Sequence, residues 1–409
     1  MRADSRIPEL DGLRGLAILL VLFFHVGILR AASSGALLDP LITFGWSGVD
    51  LFFVLSGFLI GGILLDNRDS ERYFAPFYAR RFFRILPIYT AVVGLYWLVW
   101  CIAPLRHDLL VHAGEPMPLP WYLSFTNNIW MAVHNNMDMF LSPSWSLAIE
   151  EQFYLTLPLV IRLVPRRSLR KVLIYALLCV AGARFVACHF ELVTQIQAYV
   201  LPWFRIDALL IGVLCALFVR WERGRMWLQQ HGCLLAIPAT LALSAIWIFN
   251  LSLPSDIFHP GKPIMTYGLT LVAIGYASLL LLALARPQWA LGSFLRARPL
   301  RFLGRVSYFV YLVHWGALKS TSVLMHELAP NAGKDLETAA LVFSLVVTLV
   351  VAEFSWRFFE SRMLAIGHRV KYSKAPRAIP PEPLPITVAS TSIVSASQAS
   401  AMEQTSEAA

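Results

Sequence analysis

The sequence predicts an all-α protein: a polytopic membrane helix bundle with about ten transmembrane helices and both termini in the cytoplasm. Three observations predict it. Apolar residues make up 57% of the 409-residue chain, charged residues only 14%, and the mean hydropathy is +0.62; an ordinary globular domain is about half apolar and roughly a quarter charged. The apolar residues gather into ten runs, each near the ~20 residues that a helix needs to cross the hydrocarbon core. Lys and Arg then fall on one side of those runs. This composition excludes a disordered chain, a coiled coil and a typical soluble enzyme. A net charge of +9 would raise nucleic acid as a partner for a soluble protein, but here the placement of the charges matters more than their sum, and no nucleic acid is expected.

The runs follow in order. The first, 13–30, ends before Ala31-Ala32-Ser33 and so resembles a signal peptide. Its polar lead-in and the nine runs after it argue for a retained helix. Runs at 44–65 and 84–104 come next. Residues 105–144 hold three His and an aromatic-rich stretch from Trp121 to Trp130, read as interfacial or re-entrant rather than spanning. The remaining runs are 145–164, 171–190, 200–219, 232–251, 265–285, 303–325 and 338–359. Several contain Pro or Gly, which membrane helices tolerate where neighbours satisfy the freed backbone groups. The five cysteines form no C-x-x-C pair, so neither a zinc site nor a disulfide framework is indicated, and they read as small buried apolar residues. From about 373 the chain turns to Pro, Ala, Ser and Thr, the composition of a disordered segment. The organisation expected is a membrane core over 1–365 and a cytoplasmic tail over 366–409.

Orientation follows from the cations. With the N-terminus inside and strict alternation, 27 of the 34 Lys and Arg lie in inside segments and five in outside segments. Arg184 and Arg205 fall within runs. Positive charge concentrates on the cytoplasmic side of membrane proteins, and this ratio fixes the direction of every run.

Ionisable groups inside spans are costly unless paired or facing a cavity, so each is a functional candidate. Sorted by depth, they form two layers. The outer layer holds His25 in the first run, Asp50 at the start of the second, Glu150 and Glu151 in the fourth, and Arg205 and Asp207 in the sixth. Ser146, Glu150 and Tyr154 are spaced to share one helix face, with Glu151 turned about 100° away. Arg205 and Asp207 are two residues apart, face differently and need partners on other helices. The inner layer is basic: Arg14 opens the first run and Arg80, Arg81 and Arg84 open the third. Arg14 and His25 lie on almost the same face, ~16 Å apart along one helix. His314 sits near the middle of the ninth run.

An imidazole near carboxylates in a desolvated pocket can act as a general base. An arginine cluster at a membrane mouth suits phosphates, which the guanidinium fork grips. Together they point to a phosphate-bearing donor entering from the cytoplasm and chemistry deeper in the bilayer. The plainer readings are hydrogen-bonding or packing for His314, lipid head-group contact for Arg80, Arg81 and Arg84, and interhelical glue for Asp50, Glu150 and Glu151. A transporter or flippase for an anionic solute is the alternative function; no inverted repeat of the kind that marks many transporters is present.

The motifs as a set resemble the acyltransferase-3 family of integral membrane O-acyltransferases. ELDGLRGLAILLVLFFHV carries that family's Arg-x10-His element as Arg14 and His25. WSGVDLFFVLSGFLI is similar to its second-span signature, and FYARRFFRILPIY holds its Arg-x-x-Arg as Arg81 and Arg84. SPSWSLAIEEQFYL matches a fourth block and SYFVYLVHW a late one. The resemblance covers about 1–365. It implies a ten-helix enzyme of a cell membrane, the bacterial inner membrane, that moves an acyl group (most commonly acetyl) from cytoplasmic acyl-CoA to a hydroxyl of an envelope or exported glycan or glycoside. No permanently bound cofactor and no metal are expected; acyl-CoA is a co-substrate. The residue roles expected are His25, Glu150 and Asp50 in catalysis and Arg14, Arg81 and Arg84 on the donor's phosphates. Trp145, Ser146, Glu151, Tyr154, Arg205, Asp207 and His314 are expected on the acceptor. Some relatives add a hydrolase-like domain outside the membrane; with only a tail after the last run, the membrane core is expected to complete the chemistry alone. No G-x-S-x-G or H-x4-D element is present, and His134 and Asp138 are one residue too close for the latter.

Overall fold

The computed structural model describes residues 7–34, 40–102, 117–137, 140–252, 262–329 and 333–373. Every regular element among them is helical. Ten helices correspond to the ten runs: α1 (Pro8–Ser34), α2 (Gly48–Asp66), α3 (Phe74–Cys101), α4 (Ser144–Leu163), α5 (Arg166–His189), α6 (Asp207–Arg220), α7 (Ala236–Ser252), α8 (Leu269–Ala285), α9 (Arg298–Leu328) and α10 (Lys334–Ser355).

By length and apolarity, 7 helical segments among the described residues qualify as membrane spans, those built on α1, α2, α3, α5, α7, α8 and α10. The other three runs are helical but differ for stated reasons. α4 holds Glu150, Glu151 and Arg162 within its 20 residues. α9 is long, but its apolar stretch is diluted by Ser307, Tyr308, Tyr311, His314 and Lys319. α6 has only 14 residues, ~21 Å of helix, because a turn at Ile206 separates it from the short helix Pro202–Arg205, which Pro202 starts. α6 is buried on most of its surface, as are α2 and α8, whereas α3, α5, α7 and α10 turn most of theirs outward. The bundle is therefore a buried centre of α2, α6 and α8 inside a lipid-facing rim. Cys188 and Cys215 are buried and Cys233 half-buried, but Cys101 and Cys179 lie on exposed faces. The expectation of five buried cysteines holds for only part of the set.

Two helix pairs set the positions of the functional groups. Lipid is as apolar as leucine, so membrane helices associate by close packing, and small residues let backbones touch. A Cβ added at Gly12 or Gly15 of α1 would strike the Leu295 or Leu300 carbonyl, and one at Gly304 of α9 would strike that of Asp11. α1 and α9 thus run side by side in the same direction. α2 and α6 do the same through Gly57 and Gly212, whose added Cβ atoms would meet the backbone of Leu209 and Val54. This second pair is clasped at both ends, by Asp50 with Arg205 of the short helix just before α6 at 3.1 Å and by Asp66 with Arg220 at 2.6 Å.

The aromatic stretch after α3 forms two short helices, Leu119–Leu123 and Asn127–His134, far too short to cross. They are joined through Phe125 at φ 53°. Buried amides tie them to the bundle: Asn127 donates to the Ser144 hydroxyl at 2.9 Å, and Gln152 of α4 donates to the Phe125 carbonyl at 2.9 Å. At the other end of the chain, α10 continues through a wide turn into α11 (Ser361–Arg369). The expected core boundary at 365 falls inside this helix. Gly367 packs on Phe83 and Arg80 of α3, and Arg80 lies 5.0 Å over the Tyr372 ring. Of the expected tail, 374–409 lies outside the described residues.

Candidate active site

His25 and His314 meet because the glycine contact between α1 and α9 brings their backbones together. Their rings are 4.8 Å apart, with His314 Nε2 3.3 Å from His25 Nδ1. The hydrogen-bond partners fix both tautomers. His314 Nδ1 lies 3.0 Å from the carbonyls of Val310 and Tyr311, and His25 Nδ1 lies 2.8 Å from the Val21 carbonyl. Carbonyl oxygens only accept, so each Nδ1 carries the hydrogen. His314 Nε2 is then an acceptor facing the His25 N–H, and His25 Nε2 is left with its lone pair. Trp315 at 5.0 Å and Phe24 at 5.3 Å wall the His25 ring. Sequence reasoning looked for a carboxylate to hold this tautomer; among the described residues, a backbone carbonyl and a second imidazole hold it instead.

A second group assembles on α4. Glu150 accepts from Ser56 of α2 at 2.7 Å and from Tyr154 at 3.1 Å. The Glu150–Tyr154 bond places both on the face that the i, i+4 spacing predicts. Ser146, one turn earlier, shares a 2.7 Å hydrogen bond with the Tyr311 hydroxyl of α9, and the Tyr311 ring lies 5.8 Å from that of His314. The arginines converge on the same stripe. Arg81 lies 6.0 Å over the Tyr154 ring and interacts electrostatically with Glu150 and Glu151. Arg14, 3.5 Å from Asp11, is close enough to Arg81 and Arg84 for mutual repulsion. A polar path therefore runs from His25 through His314, Tyr311, Ser146, Glu150 and Tyr154 to the three guanidiniums, crossing α1, α9, α4 and α3.

This path changes the two-layer reading. Arg81 and Arg84 are seven and ten residues into α3 and Glu150 is six into α4, so along their helices they lie ~10–15 Å and ~9 Å from opposite ends. The basic groups of α3 and the acidic groups of α4 therefore meet within the bundle rather than in separate layers.

Asp50, Arg205 and Asp207 do not join the path. Asp50 and Arg205 form their 3.1 Å pair with neither side chain exposed, and the guanidinium lies 5.0–5.8 Å from the rings of Tyr199, Phe53 and Trp145. Trp145 thus walls this cage. Asp207 pairs with Arg184 of α5 at 2.8 Å and accepts from Thr270 of α8 at 2.6 Å. Buried charges survive only when paired, and these two pairs pin α2, α5, α6 and α8 together. The grouping expected for an outer pocket is therefore divided: Ser146, Glu150 and Glu151 belong with the arginines, while Asp50, Arg205 and Asp207 are interhelical ties. Sequence reasoning missed Ser56, Tyr311 and Thr270, neutral residues that no charge marks. It noted Arg184 without a role, although its charge inside a run was a signal. His134 bonds the Trp130 carbonyl at 2.9 Å, and Asp138 lies outside the described residues.

Comparison with known proteins gives the family. The family model described as acyltransferase domain, Acyl_transf_3, matches residues 7–354. The chain is 30% identical to "Putative peptidoglycan O-acetyltransferase YrhL" of Bacillus subtilis strain 168 over 378 residues, 89% of this chain and 56% of that protein. It is 27% identical to "Peptidoglycan O-acetyltransferase OatA" of Listeria monocytogenes over 87% of this chain and 55% of the relative. To "O-acetyltransferase OatA" of Staphylococcus aureus (strain NCTC 8325 / PS 47) it is 26% identical, over 90% and 59%. The chain thus spans a little over half the length of these relatives. No solved structure matches it. The family match takes in the Arg14–His25 helix, Arg81 and Arg84, the α4 stripe and His314 together, and the chain belongs to the acyltransferase-3 family.

Proposed function

We propose that the protein is a membrane O-acyltransferase that moves an acyl group, acetyl in the simplest case, from acyl-CoA to a hydroxyl of an envelope glycan. The observation that carries this reading is His25: an imidazole inside a helix bundle whose tautomer leaves Nε2 unprotonated and free to accept a proton. The names of the relatives supply the acceptor class, peptidoglycan. The cytoplasmic donor rests on charge. Arg14, Arg81 and Arg84 converge in one part of the bundle beside Asp11, Glu150 and Glu151, and guanidinium forks of this kind suit the phosphates of coenzyme A.

In this reaction the acceptor O–H gives its proton to His25 Nε2 as its oxygen attacks the thioester carbonyl. The C–O bond forms, the C–S bond breaks, and the proton leaves with the coenzyme A thiol. His314 acts on His25 Nδ1: as the ring becomes cationic, its N–H bonds to His314 Nε2 and Val21 strengthen. Glu150, held by Ser56 and Tyr154, orients Arg81 toward the donor. The ~16 Å between Arg14 and His25 along α1 is the distance the pantetheine arm would bridge from phosphates to thioester. The parallel directions of α1 with α9 and of α2 with α6 support strict alternation of ten crossings, with both termini on the donor side.

Purified protein in proteoliposomes, given labelled acetyl-CoA on the Arg14 side and a peptidoglycan fragment on the other, tests this. Labelled acceptor and stoichiometric free thiol are expected. Movement of an anion without thioester cleavage would instead establish a transporter.

A further inference from the structure

The first two turns of α9 and the start of α1 enclose a pocket of about 400 Å³, lined by Pro8, Asp11, Arg298, Arg301, Phe302 and Arg305. It sits at the same end of α1 as Arg14 but is built from different arginines. Three guanidiniums face one carboxylate, and Asp11 already pairs with Arg14. Arg305 is held by Glu353 of α10 at 2.9 Å, a carboxylate it shares with Arg357 at 2.7 Å. The side chains of Arg298 and Arg301 form no ion pair or hydrogen bond among the described residues. Among the described residues the pocket is thus a cationic site with unspent charge.

Next to it, sharing Phe302, runs a groove of about 490 Å³ between α9 and α10. Its walls are Val346, Leu349, Val350, Phe354 and Phe358, with Glu353 and Arg357 at the cationic end. Most of these apolar side chains are outward-facing: Val350 is 65% exposed and Phe354 63%. From Arg357 to Val346 the groove descends eleven residues of helix, ~16 Å, about one leaflet of a ~30 Å hydrocarbon core. Cations at the interface and an apolar trough of one-leaflet length beneath them match one class of molecule.

We propose that this surface binds an anionic phospholipid, its phosphate between Arg298 and Arg301 and one acyl chain along the α9–α10 groove. The occupant is an amphiphile because charge and trough are continuous. A nucleotide phosphate would fill only the pocket and leave the trough uncovered. The site goes beyond the acyl-transfer reading and stands or falls independently of it. Because the lipid would bridge α9 to α10, it would brace the helix that presents His314.

The test is lipid retention by the full chain, read by native mass spectrometry with phosphatidylglycerol or phosphatidylcholine. Preferential retention of phosphatidylglycerol is expected. The exposed pair R298Q/R301Q should weaken it about 30-fold, since each interfacial cation contributes ~1 kcal/mol and ~1.4 kcal/mol is tenfold, with phosphatidylcholine unaffected. V350D, which places a charge in the trough, should weaken both lipids. Unchanged phosphatidylglycerol retention in R298Q/R301Q overturns the proposal, as does its displacement by coenzyme A alone, which would assign the pocket to nucleotide phosphates.

Discussion

Replacing His314 with alanine separates positioning from proton transfer. The substitution removes the Nε2 acceptor 3.3 Å from His25 Nδ1 but leaves the Val21 carbonyl at 2.8 Å. His25 keeps its shorter contact and its tautomer. The lost bond contributes about 0.5–1.5 kcal/mol while His25 is neutral and about 1.5–3 once it is cationic, so about 1–1.5 kcal/mol of the difference reaches kcat, roughly 5- to 12-fold at 1.4 kcal/mol per tenfold. Removing a general base costs far more, ~10²–10⁴-fold. The assay is acetyl transfer at saturating donor, with kcat and acceptor KM determined separately and thermal unfolding in detergent as a control, because His314 is fully buried. His314→Gln, whose amide oxygen can accept in place of Nε2, should recover part of the loss. A defect as large as that of His25→Ala would make His314 the proton acceptor itself. A raised acceptor KM with kcat unmoved would return His314 to the acceptor-binding role that the sequence suggested.

Other perturbations test the remaining parts. Arg81→Lys keeps the charge but loses the planar fork, so donor KM should rise about tenfold or more while acceptor KM holds; a flat donor KM would place the phosphates elsewhere. Asp207→Asn leaves Arg184 buried opposite a neutral partner. Breaking such a pair costs roughly 3–5 kcal/mol, visible as a lowered unfolding midpoint, and an unchanged midpoint would refute the tie between α5 and α6. Gly304→Leu drives a side chain into the Asp11 backbone. Overpacking of this kind costs about 1–3 kcal/mol, and because it parts α1 from α9 the variant should lose activity even at temperatures where it remains folded.

Much of this was legible in the sequence because lipid is a strict solvent. Apolar runs of bilayer length gave the helices, and the rarity of charge inside them singled out His25, Glu150, Arg205 and Asp207. The Arg14–His25 and Ser146–Glu150–Tyr154 spacings gave helix faces, and the latter stripe is joined by an observed hydrogen bond. Depth was harder to read. Counting from the edges of apolar runs set Arg81 and Arg84 apart from Glu150, yet α3 and α4 pack so that these groups meet. Pairing was not legible either. Nothing local says that Arg205 faces Asp50 or that Arg184 faces Asp207, since both choices are made by the packing of four helices. Nor could neutral partners such as Tyr311 and Ser56 be found by a search for charge. Pro202 was a visible helix start in the sixth run, but no breaker residue marks the turn at Ile206 that shortens α6.

The central claim is that His25 Nε2 takes the acceptor's proton during acyl transfer. Its most direct test is the single-turnover rate of labelled acetyl transfer by His25→Ala, with acceptor and acetyl-CoA saturating and the variant's folding verified by thermal unfolding. The rate is predicted to fall ~10²–10⁴-fold with donor KM unchanged. Transfer at a near wild-type rate by a folded His25→Ala protein would contradict the account.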